Sequence, residues 1–139
     1  MNTSPPPLIV SENGLGRYQQ SISIGCHTLI ADEPVSAGGA DAGPAPVDFL
    51  LAALGACTSI TLRMYAERKG LALARISVAL THEKIDRKGL GLVDHIERNI
   101  SLDGELSLEQ RQRLLEIANK CPMYRTLNSE MEIDSHIAE

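Results

Sequence analysis

Residues 46–70 decide the fold, and they read PVDFLLAALGACTSITLRMYAERKG. Pro46 suits the first turn of a helix, and Asp48 complements the partial positive charge at a helix N-terminus. Small and apolar residues fill most of the stretch, basic residues come near its end, and Gly70 is a typical C-terminal cap. The pattern therefore predicts one long helix in the middle of the chain.

The residues on both sides of this helix alternate between apolar and polar side chains, as β-strands do. The predicted strands cover residues 18–30 with a break at Gly25, 76–81, 92–102 and 131–137. The second and third pair as a hairpin, and Asp94 and Arg98 interrupt the apolar face of the third. The order of elements predicts an α+β fold with an antiparallel sheet packed on two main helices.

Ser107 begins the second predicted helix, because Gln110 three residues later completes a capping-box pattern. This helix continues to Lys120, where Cys121 and Pro122 interrupt it. A break of this kind exposes backbone groups and lets a side chain approach another element.

Residues 33–46 form a loop that is rich in Gly, Ala and Pro. Its 14 residues place it at the length at which loops are often functional or mobile. We expect Asp32 and Glu33 to be its solvated beginning.

The 139 residues are enough for a domain that buries a core without disulfides or a structural metal. We expect a single domain over residues 1–139, with residues 1–7 as a flexible, proline-rich arm. The formal net charge is −5, and aromatic residues are only 3% of the chain. Both features argue against a nucleic-acid partner, which needs basic side chains for phosphates and rings for bases.

The longest uncharged and mostly apolar stretch, Phe49 to Leu62, has 14 residues, whereas a transmembrane helix needs about 20. The polar N-terminal residues carry no signal-peptide pattern. We therefore expect a cytoplasmic protein with no membrane partner.

Three cysteines, Cys26, Cys57 and Cys121, are too few, and odd in number, for a secreted disulfide framework. In reducing surroundings a cysteine pair is more often catalytic or redox-active than structural. Cys57 lies midway along the long helix and Cys121 at the end of the second, and each is either a small buried hydrophobe or a redox thiol. Cys26 lies on the apolar face of a strand, where we expect it to fill core space.

The histidines are not spaced as metal ligands. Only Cys26 and His27 are close in sequence, and adjacent strand residues point to opposite faces. Neither a Walker A motif nor a dinucleotide-binding glycine motif occurs. We therefore expect no metal and no cofactor.

Two long motifs carry a resemblance to a known family. The first runs from Gly43 to Cys57 and continues from Thr61 to Tyr65, and the second runs from Leu114 to Pro122 and continues from Arg125 to Leu127. These motifs and the order of elements resemble the OsmC/Ohr family, in detail its OsmC-like branch, over nearly the whole chain. The resemblance implies an intertwined homodimer with two active sites at the subunit interface.

The resemblance also implies a chemistry. The thiolate of Cys57 attacks a peroxide oxygen and becomes a sulfenic acid, and Cys121 condenses with it to a disulfide. An external dithiol then restores both thiols. The apolar helix face around Cys57 suits an organic hydroperoxide as the substrate.

The family places an Arg and a Glu beside the nucleophile. The Arg comes from an early glycine-rich turn, where this chain has Arg17, and a positive charge there stabilises a nearby thiolate. The position of the Glu, ten residues before Cys57, is Val47. The neighbouring Asp48 cannot simply replace it, because nine residues place it roughly opposite Cys57 on a straight helix.

Three functions therefore stand side by side. The first is a thiol-dependent peroxidase with Cys57 as nucleophile, Cys121 as resolving thiol and Arg17 beside them. The second is a non-enzymatic protein of the same fold that binds a small apolar ligand or senses redox state, which the missing Glu favours. The third is a structural cysteine pair with no redox role.

Overall fold

Three strands precede the long helix, and a hairpin and two shorter helices follow it. The computed structural model describes residues 4–138. Its strands and α-helices are β1 (Ile9–Glu12), β2 (Gln20–Ile24), β3 (His27–Ala31), α1 (Pro46–Lys69), β4 (Leu73–Arg87), β5 (Gly91–Gly104), α2 (Leu108–Ala118) and α3 (Pro122–Leu127), and a short 3-10 helix spans Val35–Ala37. These helices and antiparallel sheets confirm the predicted α+β fold.

The chain divides into two compact units, one ending at Leu50 and one beginning at Leu51. Helix α1 begins in the first unit and continues in the second. Residues 4–7 of the predicted arm are exposed and lie in neither a helix nor a strand, and residues 1–3 lie outside the described residues. A single OsmC-like domain over residues 1–139 stays a prediction.

The first unit contains a three-stranded antiparallel sheet in the order β1-β2-β3. Ile22 in the central strand is buried and pairs with Val10 on one side and Leu29 on the other. The predicted break at Gly25 is confirmed, since the chain reverses there with a φ of 58°. Cys26 follows in this turn and is exposed. The expectation that it fills core space is wrong, because the strand ends before it.

A buried carboxylate organises the loop after β3. The side chain of Asp32 accepts hydrogen bonds from three backbone N–H groups, those of Glu33 at 2.7 Å, Ala40 at 3.2 Å and Ala42 at 3.1 Å. The donors, Ala42 foremost and then Glu33, hold the pKa of Asp32 below its usual 3.8, although burial opposes them. The predicted solvated loop start is therefore wrong at Asp32, which is 3% exposed.

Helix α1 forms as predicted. The Asp48 carboxylate accepts a hydrogen bond from the N–H of Ala45 at 2.9 Å, and Gly70 ends the helix with a φ of 64°. By length and composition alone the helix could cross a membrane, a test that core helices of soluble proteins also pass. Its exposed large apolar side chains are those of Val47, Leu50, Ile60 and Met64. Within residues 4–138, these side chains of α1 therefore stay exposed.

The second unit packs α1 and α2 against the hairpin of β4 and β5. The buried cluster consists of Leu62, Tyr65, Leu114, Ile117 and Ala118. Residues from the inward face of the hairpin pack on it, including Ile76, Ile100 and Leu102. The hairpin also approaches α1 closely at Gly55, where an added Cβ would lie 2.8 Å from a side-chain methyl group of Leu80 in β4.

The capping box predicted for α2 is confirmed. The Ser107 hydroxyl accepts from the N–H of Gln110 at 3.0 Å, and the Gln110 side chain accepts from the N–H of Ser107 at 2.9 Å. The helix ends at Ala118 rather than Lys120. Beyond the predicted break, Pro122 begins the short α3, which the sequence patterns do not predict.

The predicted last strand at residues 131–137 is wrong, because these residues form neither a helix nor a strand. Their apolar side chains Met131, Ile133 and Ile137 are exposed. A strand requires a neighbouring strand to take its backbone hydrogen bonds. Within residues 4–138, no strand pairs with this segment, so the alternating pattern remains without a ladder.

Candidate functional site

Cys57 lies midway along α1 and is half-buried. Leu50 and Met64 lie seven residues away on either side and share its helical face. They are 40% and 62% exposed, so both apolar side chains beside Cys57 are partly accessible in the part of the chain that the structure describes. The side chain of Cys57 is therefore partly accessible to a small molecule.

Cys121 is completely buried. It is the N-cap residue of α3, and its sulfur accepts a hydrogen bond from the backbone N–H of Tyr124 at 3.4 Å. Pro122 occupies the first position of α3, where its missing N–H costs no hydrogen bond. The helix break thus turns the thiol inward instead of leaving it at the surface.

Thr58 joins the two cysteine segments. Thr58 directly follows Cys57 in α1. Its hydroxyl oxygen lies 3.9 Å from the sulfur of Cys121. The hydroxyl is fully buried and donates to the carbonyl of Leu54 at 2.7 Å. The structure therefore brings Cys121 to the turn of α1 that carries Cys57.

Arg98 of β5 holds this junction from the sheet side. One guanidinium nitrogen donates to the Thr58 hydroxyl at 2.9 Å and to the carbonyl of Ala118 at 3.2 Å. The other donates to the Asn119 side chain at 2.7 Å, and the guanidinium lies 5.0 Å from the ring centroid of Tyr124. One cation thus ties α1 to the end of α2 and the beginning of α3.

The sequence analysis singles out neither Thr58 nor Arg98 as a site residue. A usable signal exists for Arg98, because it interrupts the inward face of β5 beside Ile100, and a charged group there needs hydrogen-bond partners. Asp94 interrupts the same face but is exposed and pairs with His82 at 2.8 Å. The interruption alone therefore does not distinguish a site residue from a surface ion pair.

Arg17, the third predicted site residue, belongs to the first unit. It is exposed, and its guanidinium lies 4.9 Å from the ring centroid of Tyr18. An added Cβ at Gly38 would lie 3.8 Å from the guanidinium, so the loop after β3 approaches it. Its role beside Cys57 stays a prediction.

The first turn of α1 carries no acid on the side of Cys57. Val47, at the position of the family Glu, is exposed. The carboxylate of Asp48 accepts from the N–H of Ala45, which gives it a capping role at the helix start.

Potential metal ligands are not clustered in the part of the chain that the structure describes. Over residues 4–138, no three His, Cys, Asp or Glu side chains are grouped so that they could hold a metal ion. The three cysteines are free thiols.

Several solved structures of other proteins are similar to this chain. One is described as a putative osmotic stress induced and detoxification response protein from Psychrobacter arcticus, with a TM-score of 0.74, 17% sequence identity and 90% of each chain covered. Another is an OsmC-like protein from Mycoplasma pneumoniae, with a TM-score of 0.70, 18% sequence identity, and coverage of 91% of this chain and 89% of that chain. A third is an organic hydroperoxide resistance protein OsmC from Legionella pneumophila, with a TM-score of 0.66, 17% sequence identity, and coverage of 91% of this chain and 92% of that chain. At these identities the likeness shows a shared fold. No curated protein sequence matches the chain.

The family assignment rests on a match of sequence rather than of fold. The family model described as OsmC-like protein matches residues 38–136. That range contains all of α1, the hairpin, α2 and α3, and with them Cys57, Cys121, Thr58 and Arg98. The resemblance found in the two cysteine motifs is thus confirmed, and the chain belongs to the OsmC-like protein family.

Proposed function

We propose that the protein is a thiol-dependent peroxidase that reduces organic hydroperoxides in the cytoplasm. Cys57 is the nucleophile and Cys121 the resolving thiol. The observation that carries the proposal is the 3.9 Å approach of the buried Cys121 sulfur to Thr58, the residue next to Cys57. A nucleophile that is partly accessible and a partner thiol that is buried fit the two different tasks.

The proposed cycle has three steps. The Cys57 thiolate attacks the terminal oxygen of the hydroperoxide, the O–O bond breaks, and the alkoxide takes up a proton to leave as an alcohol. The sulfur of Cys121 then attacks the Cys57 sulfenic acid, the S–O bond breaks, and the hydroxyl leaves as water with the proton of Cys121. An external dithiol reduces the disulfide, is itself oxidised to a disulfide, and returns two protons to the thiols.

The surroundings of Cys57 support an organic substrate. Leu50 and Met64 on its helical face are apolar, and they suit the hydrocarbon part of a hydroperoxide better than a fully hydrated peroxide. The Legionella structure that shares the fold is named an organic hydroperoxide resistance protein. Both observations favour a role in reducing peroxides or resisting peroxide stress.

A homodimer completes the proposal. The apolar side chains that α1 leaves exposed need a cover, and a second copy of the chain, as implied by the family, supplies it. In that dimer Arg17 would stand near a Cys57 sulfur and stabilise the charge of the thiolate. Sedimentation at micromolar concentration is expected to give twice the mass of the chain, and a monodisperse monomer would contradict this part.

Stopped-flow consumption of cumene hydroperoxide, with dithiothreitol as the dithiol, tests the function. We expect Cys57→Ser to abolish consumption and Cys121→Ser to prevent disulfide formation. Cys26→Ser is the matched control, since Cys26 is exposed in the turn between β2 and β3, and it should match the wild type. If Cys57→Ser consumes the peroxide as fast as the wild type, the proposal fails.

A further inference from the structure

The hydroxyl of Thr58 has one proton and lies near two groups that could accept it in a hydrogen bond, the Leu54 carbonyl and the Cys121 sulfur. It donates to the carbonyl of Leu54 at 2.7 Å, accepts from Arg98 at 2.9 Å and lies 3.9 Å from the sulfur of Cys121. A hydroxyl has one proton to donate. The proton can therefore serve either the Leu54 carbonyl or the sulfur, but not both at once.

Neither choice leaves a buried group unpaired. The carbonyl of Leu54 lies inside α1, where the backbone N–H four residues later is its helical partner. Its bond to the Thr58 hydroxyl is an additional one, of the kind that side chains make back to the preceding turn. Rotation of the hydroxyl toward Cys121 therefore costs little.

Arg98 determines how the hydroxyl is oriented. A guanidinium has donors and no acceptor, so the lone pairs of the Thr58 oxygen face Arg98 and the proton points away from it. The positive charge also draws electron density from the oxygen and makes the O–H a stronger donor. The remaining bonds of Arg98, to Ala118 and Asn119, hold the guanidinium in place.

A second hydrogen-bond donor would stabilise a negative charge on the sulfur of Cys121. It already accepts the N–H of Tyr124 at 3.4 Å, and its complete burial keeps water from solvating a negative charge on it. Such a charge develops when the disulfide is reduced. Because Cys57 is accessible and Cys121 is not, the incoming thiolate attacks Cys57 and the electron pair of the S–S bond stays on Cys121.

We propose that Thr58, oriented by Arg98, donates a hydrogen bond to the departing Cys121 thiolate and thereby accelerates reduction of the Cys57–Cys121 disulfide. The inference rests on the proposed function for the existence of that disulfide. In the step itself the dithiol sulfur bonds to Cys57, the S–S bond breaks, and Cys121 later receives a proton released by the dithiol. Arg98 is a positioning residue, since it acts on the sulfur only through the Thr58 hydroxyl.

The test separates this reduction from the reaction with peroxide. The disulfide is formed with diamide, and its reduction by dithiothreitol is followed in the wild type, Thr58→Val and Thr58→Ser. Loss of a hydrogen bond to a charged group predicts reduction slower by about 10- to 100-fold in Thr58→Val. Thr58→Ser keeps the hydroxyl and should restore the rate to within about threefold. Alkylation of the reduced Cys57 should be unchanged in both variants.

Ser59→Ala is the matched control, because it removes the neighbouring hydroxyl from α1 while Thr58 stays. Circular dichroism shows whether each variant is folded. The inference would be overturned if the disulfide of folded Thr58→Val were reduced at the wild-type rate. It would also be overturned if folded Thr58→Ser did not restore that rate. The diamide step keeps the two proposals distinguishable, because a wild type that consumes no peroxide overturns only the proposed function.

Discussion

The hydroxyl oxygen of Thr58 lies 3.9 Å from the sulfur of Cys121, although the two residues are 63 positions apart in sequence. This approach joins the long helix to the start of α3, and Arg98 fixes it from the neighbouring strand at 2.9 Å from the same hydroxyl. The two cysteine motifs therefore meet at one buried junction. Its stability depends on the surrounding core.

The core prediction concerns Leu114, which is completely buried in the cluster between α1 and α2. We expect Leu114→Ala to lower the free energy of unfolding by about 2–5 kcal/mol, because it removes apolar contacts and leaves a cavity. The matched control is Leu115→Ala on the same helix, where the side chain is 48% exposed and the cost should be far smaller. Urea denaturation measures both, and equal losses would contradict the assigned core.

The capping box predicts a smaller effect at Ser107. Its hydroxyl accepts the N–H of Gln110 at 3.0 Å, and Ser107→Ala leaves that donor without its partner. We expect a loss of about 0.5–2 kcal/mol in the free energy of unfolding. Ser107→Thr keeps an acceptor oxygen and should lose much less, so a variant as unstable as Ser107→Ala would count against the cap.

The buried carboxylate of Asp32 predicts a pH dependence of stability. The N–H groups of Ala42 and Glu33 lower its pKa in the folded state below 3.8. The stabilisation is therefore present in full above the unfolded-state pKa and is lost as the pH falls through the folded-state pKa. Asp32→Asn should be less stable than the wild type at pH 7, and the difference should shrink below pH 3.8.

Chemical denaturation at several pH values measures that difference directly. Glu12→Gln serves as a control, since it removes an exposed carboxylate of β1. A gap between the wild type and Asp32→Asn that stays constant from pH 7 to pH 3 would show that the carboxylate charge does not hold the loop.

The loop after β3 also predicts a steric effect at Gly43. A Cβ added there would lie 2.2 Å from the carbonyl oxygen of Ile30, which is rigid strand backbone. We expect Gly43→Ala to destabilise the protein by about 1–3 kcal/mol. Gly16→Ala is the control, because a Cβ added there would lie 3.4 Å from its nearest neighbour, Gln19. Its free energy of unfolding should lie within about 0.5 kcal/mol of the wild type. Thermal denaturation distinguishes the two.

The sequence predicts the elements whose signals are local. Pro46 and Gly70 bound α1, the capping box begins α2, and alternation marks the hairpin, because each pattern reports the backbone of its own segment. The same logic fails at residues 131–137, where alternation is present but a strand also needs a partner. The expectation that Cys26 fills core space fails for a related reason, since the chain turns at Gly25, directly before it.

The candidate site is predictable only in part. Cys57 and Cys121 follow from their motifs, but Thr58 and Arg98 join them through contacts between α1, β5 and α3. Contacts between residues so far apart in sequence leave no periodic pattern. Asp32 escapes prediction in the same way, because its burial depends on how the following loop folds back on it.

Cys57 and Cys121 are proposed to form one redox pair, and peptide mapping after a peroxide pulse shows whether they do. The reduced protein is treated with one equivalent of cumene hydroperoxide, alkylated and digested without reductant. We expect a single disulfide-linked peptide pair that contains Cys57 and Cys121, with Cys26 alkylated. Recovery of Cys57 and Cys121 as separate peptides, unlinked to each other after the peroxide has been consumed, would contradict the account.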